Sequence, residues 1–127
     1  MGTDTPVKVL VVDDEPGTRE SLSDFLDEYE FDVFRAGSAE QALEIIASED
    51  LDIAIVDLRL PGMSGDAMIL QSHNIKPKMK YLIHTGALDY RLSKGLEAIG
   101  MGSENLFFKP IPDLTVIIDA VNKTLGI

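Results

Sequence analysis

Short apolar runs alternate with stretches of helical periodicity five times along the 127-residue chain. The runs at 7–12, 31–36, 51–57, 80–85 and 105–108 are rich in β-branched or aromatic residues, and the first four are closed by turn or charged residues. Each is followed by a stretch whose apolar residues recur at helical spacing. Strands joined through helices run parallel, so this alternation predicts one parallel sheet with helices on both faces. Right-handed crossovers leave 2-1-3-4-5 as the common order for five strands. In such α/β sheets ligands bind outside the carboxyl ends of the strands, where strands one and three diverge.

The helices have their own signals. Pro16 suits a first turn, where its missing N–H costs nothing, and Leu22, Phe25, Leu26 and Tyr29 place a helix over 16–29. Ser38 with Gln41 forms a capping-box signal before Ala39, Ala42, Leu43, Ile46 and Ala47. A third helix is expected over 65–73, with Ala67 and Leu70 inward. A fourth, over 88–99, carries Leu88, Leu92, Leu96 and Ile99, with Gly95 weakening it from inside. Residues 100–103 read as a loop. The last helix puts Leu114, Ile117, Ile118, Val121 and Leu125 on one stripe. Residues 1–6 read as a flexible tail, and 7–127 as one domain.

The chemistry lies at the strand ends. Strand one ends on Asp13 and Asp14, strand three on Asp57, strand four on Thr85 and strand five on Lys109. Singly, Asp13 and Asp14 could cap a helix, Thr85 could merely end a strand, and Lys109 could be a surface lysine. Together, three carboxylates converge on one crevice and repel one another unless a cation joins them. An all-oxygen set suits Mg²⁺, or Mn²⁺. Lys109 and Thr85 would then face an anion beside Asp57, and an Asp carboxylate can accept a phosphoryl group covalently. A formal charge of −11 argues against direct nucleic-acid or anionic-membrane partners. With no cysteine, disulfides and thiolate metal sites are excluded. No signal peptide or membrane-length apolar run is seen, so a cytoplasmic location is expected. His84, Met63 and Met68 read as packing residues, and His73 as solvated.

The set Asp13-Asp14, Asp57-Leu58-Arg59-Leu60-Pro61-Gly62-Met63-Ser64-Gly65, Thr85-Gly86 and Lys109-Pro110 resembles the receiver domain of two-component response regulators, over nearly everything from 7 to 125. The resemblance implies a flavodoxin-like fold. It implies that Asp57 accepts a phosphoryl group from a phosphohistidine on a sensor histidine kinase or phosphotransfer protein. Asp14, Asp57 and the backbone carbonyl of Arg59 would bind Mg²⁺, with Asp13 helping through water. Thr85 and Lys109 would contact phosphoryl oxygens, Lys109-Pro110 would be a cis peptide, and Arg59 would border the site. The surface around 88–99, 104–108 and 113–124 would be the output face for a partner protein. The molecule would be a phosphoacceptor rather than an enzyme, monomeric or weakly dimeric on phosphorylation. The family usually carries Tyr or Phe three residues before the lysine, where this chain has Leu106. Switching is therefore expected to pass through backbone shifts or a partner surface, with Gly86 loosening the loop after strand four.

Other readings are a receiver module of a hybrid histidine kinase or longer regulator, a Mg²⁺-dependent aspartyl phosphatase, or a flavin-binding electron carrier. A phosphatase would need an acid where Arg59 stands. A flavin phosphate would meet repulsion from Asp13-Asp14-Glu15.

Overall fold

The computed structural model describes residues 5–127. Residues 1–4 of the expected tail lie outside the described residues, while Thr5 and Pro6 are exposed. The element order is β1 (Lys8–Val12), α1 (Pro16–Glu28), β2 (Asp32–Ala36), α2 (Ala39–Ser48), β3 (Ile53–Val56), α3 (Gly65–Ile75), β4 (Lys80–Thr85), α4 (Lys94–Ala98), β5 (Leu106–Phe108) and α5 (Thr115–Leu125). The strands form one parallel sheet in the order β2-β1-β3-β4-β5, as expected.

Alternation along the strands divides the core into two layers. Val9, Val11, Ile53, Ile55 and Leu82 pack against Leu22 and Leu26 of α1 and Ile117 and Val121 of α5. Leu10, Val12, Ala54, Val56 and Ile83 meet Ala42 and Ile46 of α2, Met68 and Ile69 of α3, and Leu96 of α4. Every residue of β3 is buried, because both of its faces are covered. One polar pair lies inside the second layer, where the Ser72 and Tyr81 hydroxyls bond at 2.6 Å. The Ser38 hydroxyl accepts from the Gln41 N–H at 3.1 Å, and Gln41 Oε1 accepts from Gly37 rather than from Ser38 itself. Among the described residues, no helix is long and apolar enough to cross a membrane.

The fourth helix departs from expectation. Residues 86–93 are irregular, and the helix is confined to five residues, Lys94–Ala98. The interruption does not come from Gly95, which sits inside the helix facing Leu70 of α3. It comes from hydrogen bonds that compete with helical pairing. The Thr85 hydroxyl accepts from the Ala87 N–H at 3.2 Å, and the Ala87 carbonyl accepts from the Tyr90 N–H at 3.0 Å. The Ser93 hydroxyl then caps the helix by accepting from Leu96 N–H at 3.2 Å. The fifth strand also starts one residue later than expected. Asn105 belongs to a 3-10 turn at Ser103–Asn105, where its side-chain oxygen accepts from Gly102 N–H at 2.9 Å. The third helix runs two residues past the expected end, to Ile75.

Candidate functional site

Strand pairing places the carboxylates. The Asp57 N–H donates to the Val12 carbonyl at 2.9 Å, and the Asp13 N–H donates to the Ala36 carbonyl at 3.1 Å. Both residues are thus fixed at the carboxyl edge of the sheet, side by side. Asp13 is 3% and Asp57 5% exposed, while Asp14 is open to solvent. Asp13, Asp14 and Asp57 each offer one oxygen, and these oxygens lie within 4.8 Å of one another. Neither Asp13 nor Asp14 is the cap of α1; Glu15 occupies that position, and its side chain makes no capping bond to the helix. Instead Asp13 Oδ1 accepts from the Glu15 N–H at 2.9 Å, which leaves Oδ2 facing the crevice.

Lys109 reaches this crevice from the far end of the chain. Its backbone N–H donates to the Thr85 carbonyl at 2.7 Å, and its peptide bond to Pro110 is cis. The ammonium donates to Asp13 Oδ2 at 2.8 Å, Asp57 Oδ2 at 3.2 Å and Glu15 Oε1 at 3.3 Å. Asp57 Oδ1 accepts from the Arg59 N–H at 3.2 Å. Burial pushes the Asp13 carboxyl above its ordinary value, against the opposing pull of Lys109. Burial also tends to lower the Lys109 ammonium, but the bonds and charges of Asp13 and Asp57 outweigh it and raise it. Two near-buried carboxylates and an exposed third around one ammonium retain excess negative charge. Oxygen donors alone, with excess negative charge, suit a hard divalent cation that keeps some waters. Thr85 is fully buried at the end of β4.

Two contacts had no readable signal in the sequence. Glu15 shares the Lys109 ammonium across 94 positions, and Arg19 Nη1 donates to the Asp13 carbonyl at 2.8 Å. Any acid near a strand end could meet a distant lysine, so only the fold selects Glu15.

His84 does more than fill space. It packs in the core away from Thr85, but it also walls a cavity of about 310 Å³ with Thr18, Leu22, Lys109 and Pro110. Its Nε2 has no hydrogen-bond partner among the described residues. Burial, then the Lys109 charge, lowers the imidazole to about 4, with Asp57 pulling the other way. A folded-state value below the ordinary 6.5 means the unfolded chain binds the proton first. The neutral imidazole's contribution is complete above about 6.5 and is lost as pH falls toward 4, a difference on the order of 3 kcal/mol. His84→Leu is expected to match or exceed the wild type at pH 7, because it removes an unsatisfied nitrogen. It should also lose stability less steeply between pH 6.5 and 4.5. Urea unfolding of both proteins across that range checks this; parallel curves would refute it.

Residues 9–122 match the family model of the response regulator receiver domain. The chain is 30% identical over 118 residues to the sporulation initiation phosphotransferase F of Bacillus subtilis, covering 93% of each protein. It is similar to the response regulator TrrA of Thermotoga maritima, solved in complex with Mg²⁺-BeF, at 27% identity and a TM-score of 0.80, covering 93% of this chain and 98% of that one. A response regulator of Burkholderia pseudomallei, solved with a phosphorylated aspartic acid, calcium and citrate, matches at 25% identity and a TM-score of 0.76 over 94% of this chain and 69% of that one. Several other curated relatives are longer, and the chain spans 23% to 57% of their length. With five parallel strands in the order 2-1-3-4-5 and the acidic crevice at their carboxyl edge, the chain belongs to the response regulator receiver domain family, the phosphorylation-dependent signalling module of two-component systems.

Proposed function

We propose that Asp57 is the phosphoacceptor and that a sensor histidine kinase or phosphotransfer protein supplies the phosphoryl group from a phosphohistidine. The observation that carries this is the Lys109 ammonium seated between the near-buried carboxylates of Asp13 and Asp57. A phosphoryl group on Asp57 brings anionic oxygens to that same ammonium, which exchanges carboxylate partners for phosphoryl ones. A carboxylate oxygen of Asp57 forms the new P–O bond while the donor's P–N bond breaks, and the leaving imidazole takes a proton. The Thr85 hydroxyl, whose proton is not committed to the Ala87 bond, donates to a phosphoryl oxygen.

Asp14, Asp57 and the Arg59 backbone carbonyl would hold Mg²⁺, or Mn²⁺, with Asp13 acting through water. A bound divalent ion supplies neutralisation of the charge on the phosphoryl oxygens. The cluster's all-oxygen donors and excess negative charge support this, as does the Mg²⁺-BeF carried by the TrrA structure. The protein acts in the cytoplasm as a phosphoacceptor rather than as a turnover enzyme. It signals to a partner protein through α4, β5 and α5, either alone or as a module of a longer regulator, as a monomer or a weak phosphorylation-dependent dimer.

Acetyl phosphate with Mg²⁺ tests the reading. The intact mass should rise by one phosphoryl group, peptide mapping should place it on Asp57, and chelation with EDTA should prevent it. No mass gain, under conditions that label a control receiver, would overturn the assignment.

A further inference from the structure

Leu106 of β5 is half-buried and has no hydroxyl to report a change at Thr85. A different hydroxyl is wired to the site. Tyr90 lies in the irregular segment between β4 and α4 and donates to both carboxylate oxygens of Asp66 at 3.0 Å. Asp66 stands in the first turn of α3. Burial, then the charge and hydrogen bond of Asp66, push the Tyr90 hydroxyl well above the ordinary phenol range, so it stays a donor. Ser93, three residues on, is the cap of α4. One hydroxyl therefore ties the segment that leads into α4 to the start of α3.

Both ends of this link lead back to Asp57. On one side, Gly65 precedes Asp66, donates its N–H to the Leu58 carbonyl at 3.0 Å, and lies so close that a Cβ there would sit 2.5 Å from the Asp57 carbonyl oxygen. The first turn of α3 is pressed against the backbone of the phosphoacceptor. On the other side, the Tyr90 N–H bonds the Ala87 carbonyl and the Ala87 N–H bonds the Thr85 hydroxyl. These bonds form a path from Gly65 and Asp66 through Tyr90 and Ala87 to Thr85, and Thr85 ends β4, the strand that pairs with β3 just ahead of Asp57. A change in the Asp57–Thr85 separation has to be taken up somewhere along it. The rigid members are α3, held by buried Met68 and Ile69, and the strand end at Thr85. The yielding member is segment 86–93, which has no regular pairing, and its tie is a single proton shared between two oxygens.

We infer that Tyr90 is the residue that reports phosphorylation: when Thr85 turns to a phosphoryl group on Asp57, Ala87 and Tyr90 follow, the Tyr90–Asp66 link opens, and the start of α4 is released from α3. This rests on the phosphoacceptor reading of Asp57. Tyr90 is a positioning residue here; it touches neither the phosphoryl group nor the acidic crevice. The free protein corresponds to the latched state, and the phosphorylated one to the open state.

Hydrogen–deuterium exchange of the whole chain, with and without Mg²⁺ and beryllofluoride, tests the inference. In the wild type, amides of 86–98 should exchange about tenfold faster with the phosphoryl mimic bound, the scale set by losing a hydrogen bond to a charged group. Tyr90→Phe keeps the ring and removes the hydroxyl. It should show that fast exchange without the mimic, gain little more with it, and still take up one phosphoryl group from acetyl phosphate. Asp66→Ala should reproduce this from the other end, and Asp66→Asn, which keeps an acceptor oxygen, should restore most of the wild-type response. Leu88→Ala, in the same segment at a side chain 75% exposed, should behave as wild type. If Tyr90→Phe and Asp66→Ala both keep the full wild-type difference, or if labelled wild type shows no change over 86–98, the inference is overturned while the role of Asp57 stands. If the wild type takes up no phosphoryl group on Asp57, that role falls, and the coupling with it.

Discussion

Asp57→Asn is expected to end phosphoryl uptake altogether, with no mass gain from acetyl phosphate over times that label the wild type completely. The amide oxygen is neutral and a poor nucleophile, so the step loses its attacking group rather than a supporting contact. The variant should still fold. Asp57 contributes one of two near-buried carboxylates that share a single ammonium, and Asp13 Oδ2, at 2.8 Å, is the shorter contact. Removing Asp57's charge relieves repulsion in a cluster with more negative than positive groups, so thermal stability should hold or rise. A folded, unlabelled Asp57→Asn protein separates loss of chemistry from loss of structure. A variant that still labels with one phosphoryl group would move the acceptor to another residue.

The second large effect is expected at Gly65. A Cβ built there meets the Asp57 carbonyl oxygen at 2.5 Å and Leu58 Cα at 2.8 Å, and both are backbone atoms that cannot swing aside. Alanine at the start of a helix would ordinarily gain about 1 kcal/mol over glycine. Overpacking against backbone costs about 2–3 kcal/mol and reverses that sign. Gly65→Ala should therefore lower unfolding stability by about 1–2 kcal/mol net. It should also slow acetyl phosphate labelling, because the atoms that must move belong to Asp57. Gly17, in the first turn of α1, would have nothing within 4 Å of an added Cβ and serves as the control. Gly17→Ala should hold or gain stability in the same urea titration. Equal effects at the two glycines would refute the packing argument.

Much of this was legible in the sequence because local pattern and fold logic agree. Runs such as 7–12 and 51–57 are too apolar and too short to be anything but buried strands, and their spacing forces crossovers. Once the order 2-1-3-4-5 is adopted, the convergence of Asp13, Asp14, Asp57, Thr85 and Lys109 follows from topology alone. What escaped was set by single side chains acting over distance. The 88–99 stretch has apolar residues at helical spacing, yet the Thr85 and Ala87 bonds hold its first half irregular. Leu92 is half-buried and packs on the core from an irregular segment, so its periodicity was real but its conformation was not helical. The Tyr90–Asp66 pair spans 24 positions and leaves no periodic trace. His84 was placed on the correct face by alternation, but alternation says nothing about the missing partner of its Nε2.

The sheet order also bears on how the protein is made. β1 pairs with β2 on one side and with β3 on the other, so the first of these five strands to leave the ribosome ends up inside the sheet. At ribosomal rates the roughly 40 residues between β1 and β3 take about 2–8 s to appear. During that interval one edge of an almost wholly apolar strand has no mate, the kind of exposure that chaperones cover. The acidic crevice matures later still, since the Lys109 contacts to Asp13 and Asp57 close loops of 96 and 52 positions. A nascent or truncated chain carries the carboxylates without the lysine that balances them. Only a chain that has reached Lys109 carries every residue of the site, so the acidic crevice acquires its balancing charge last.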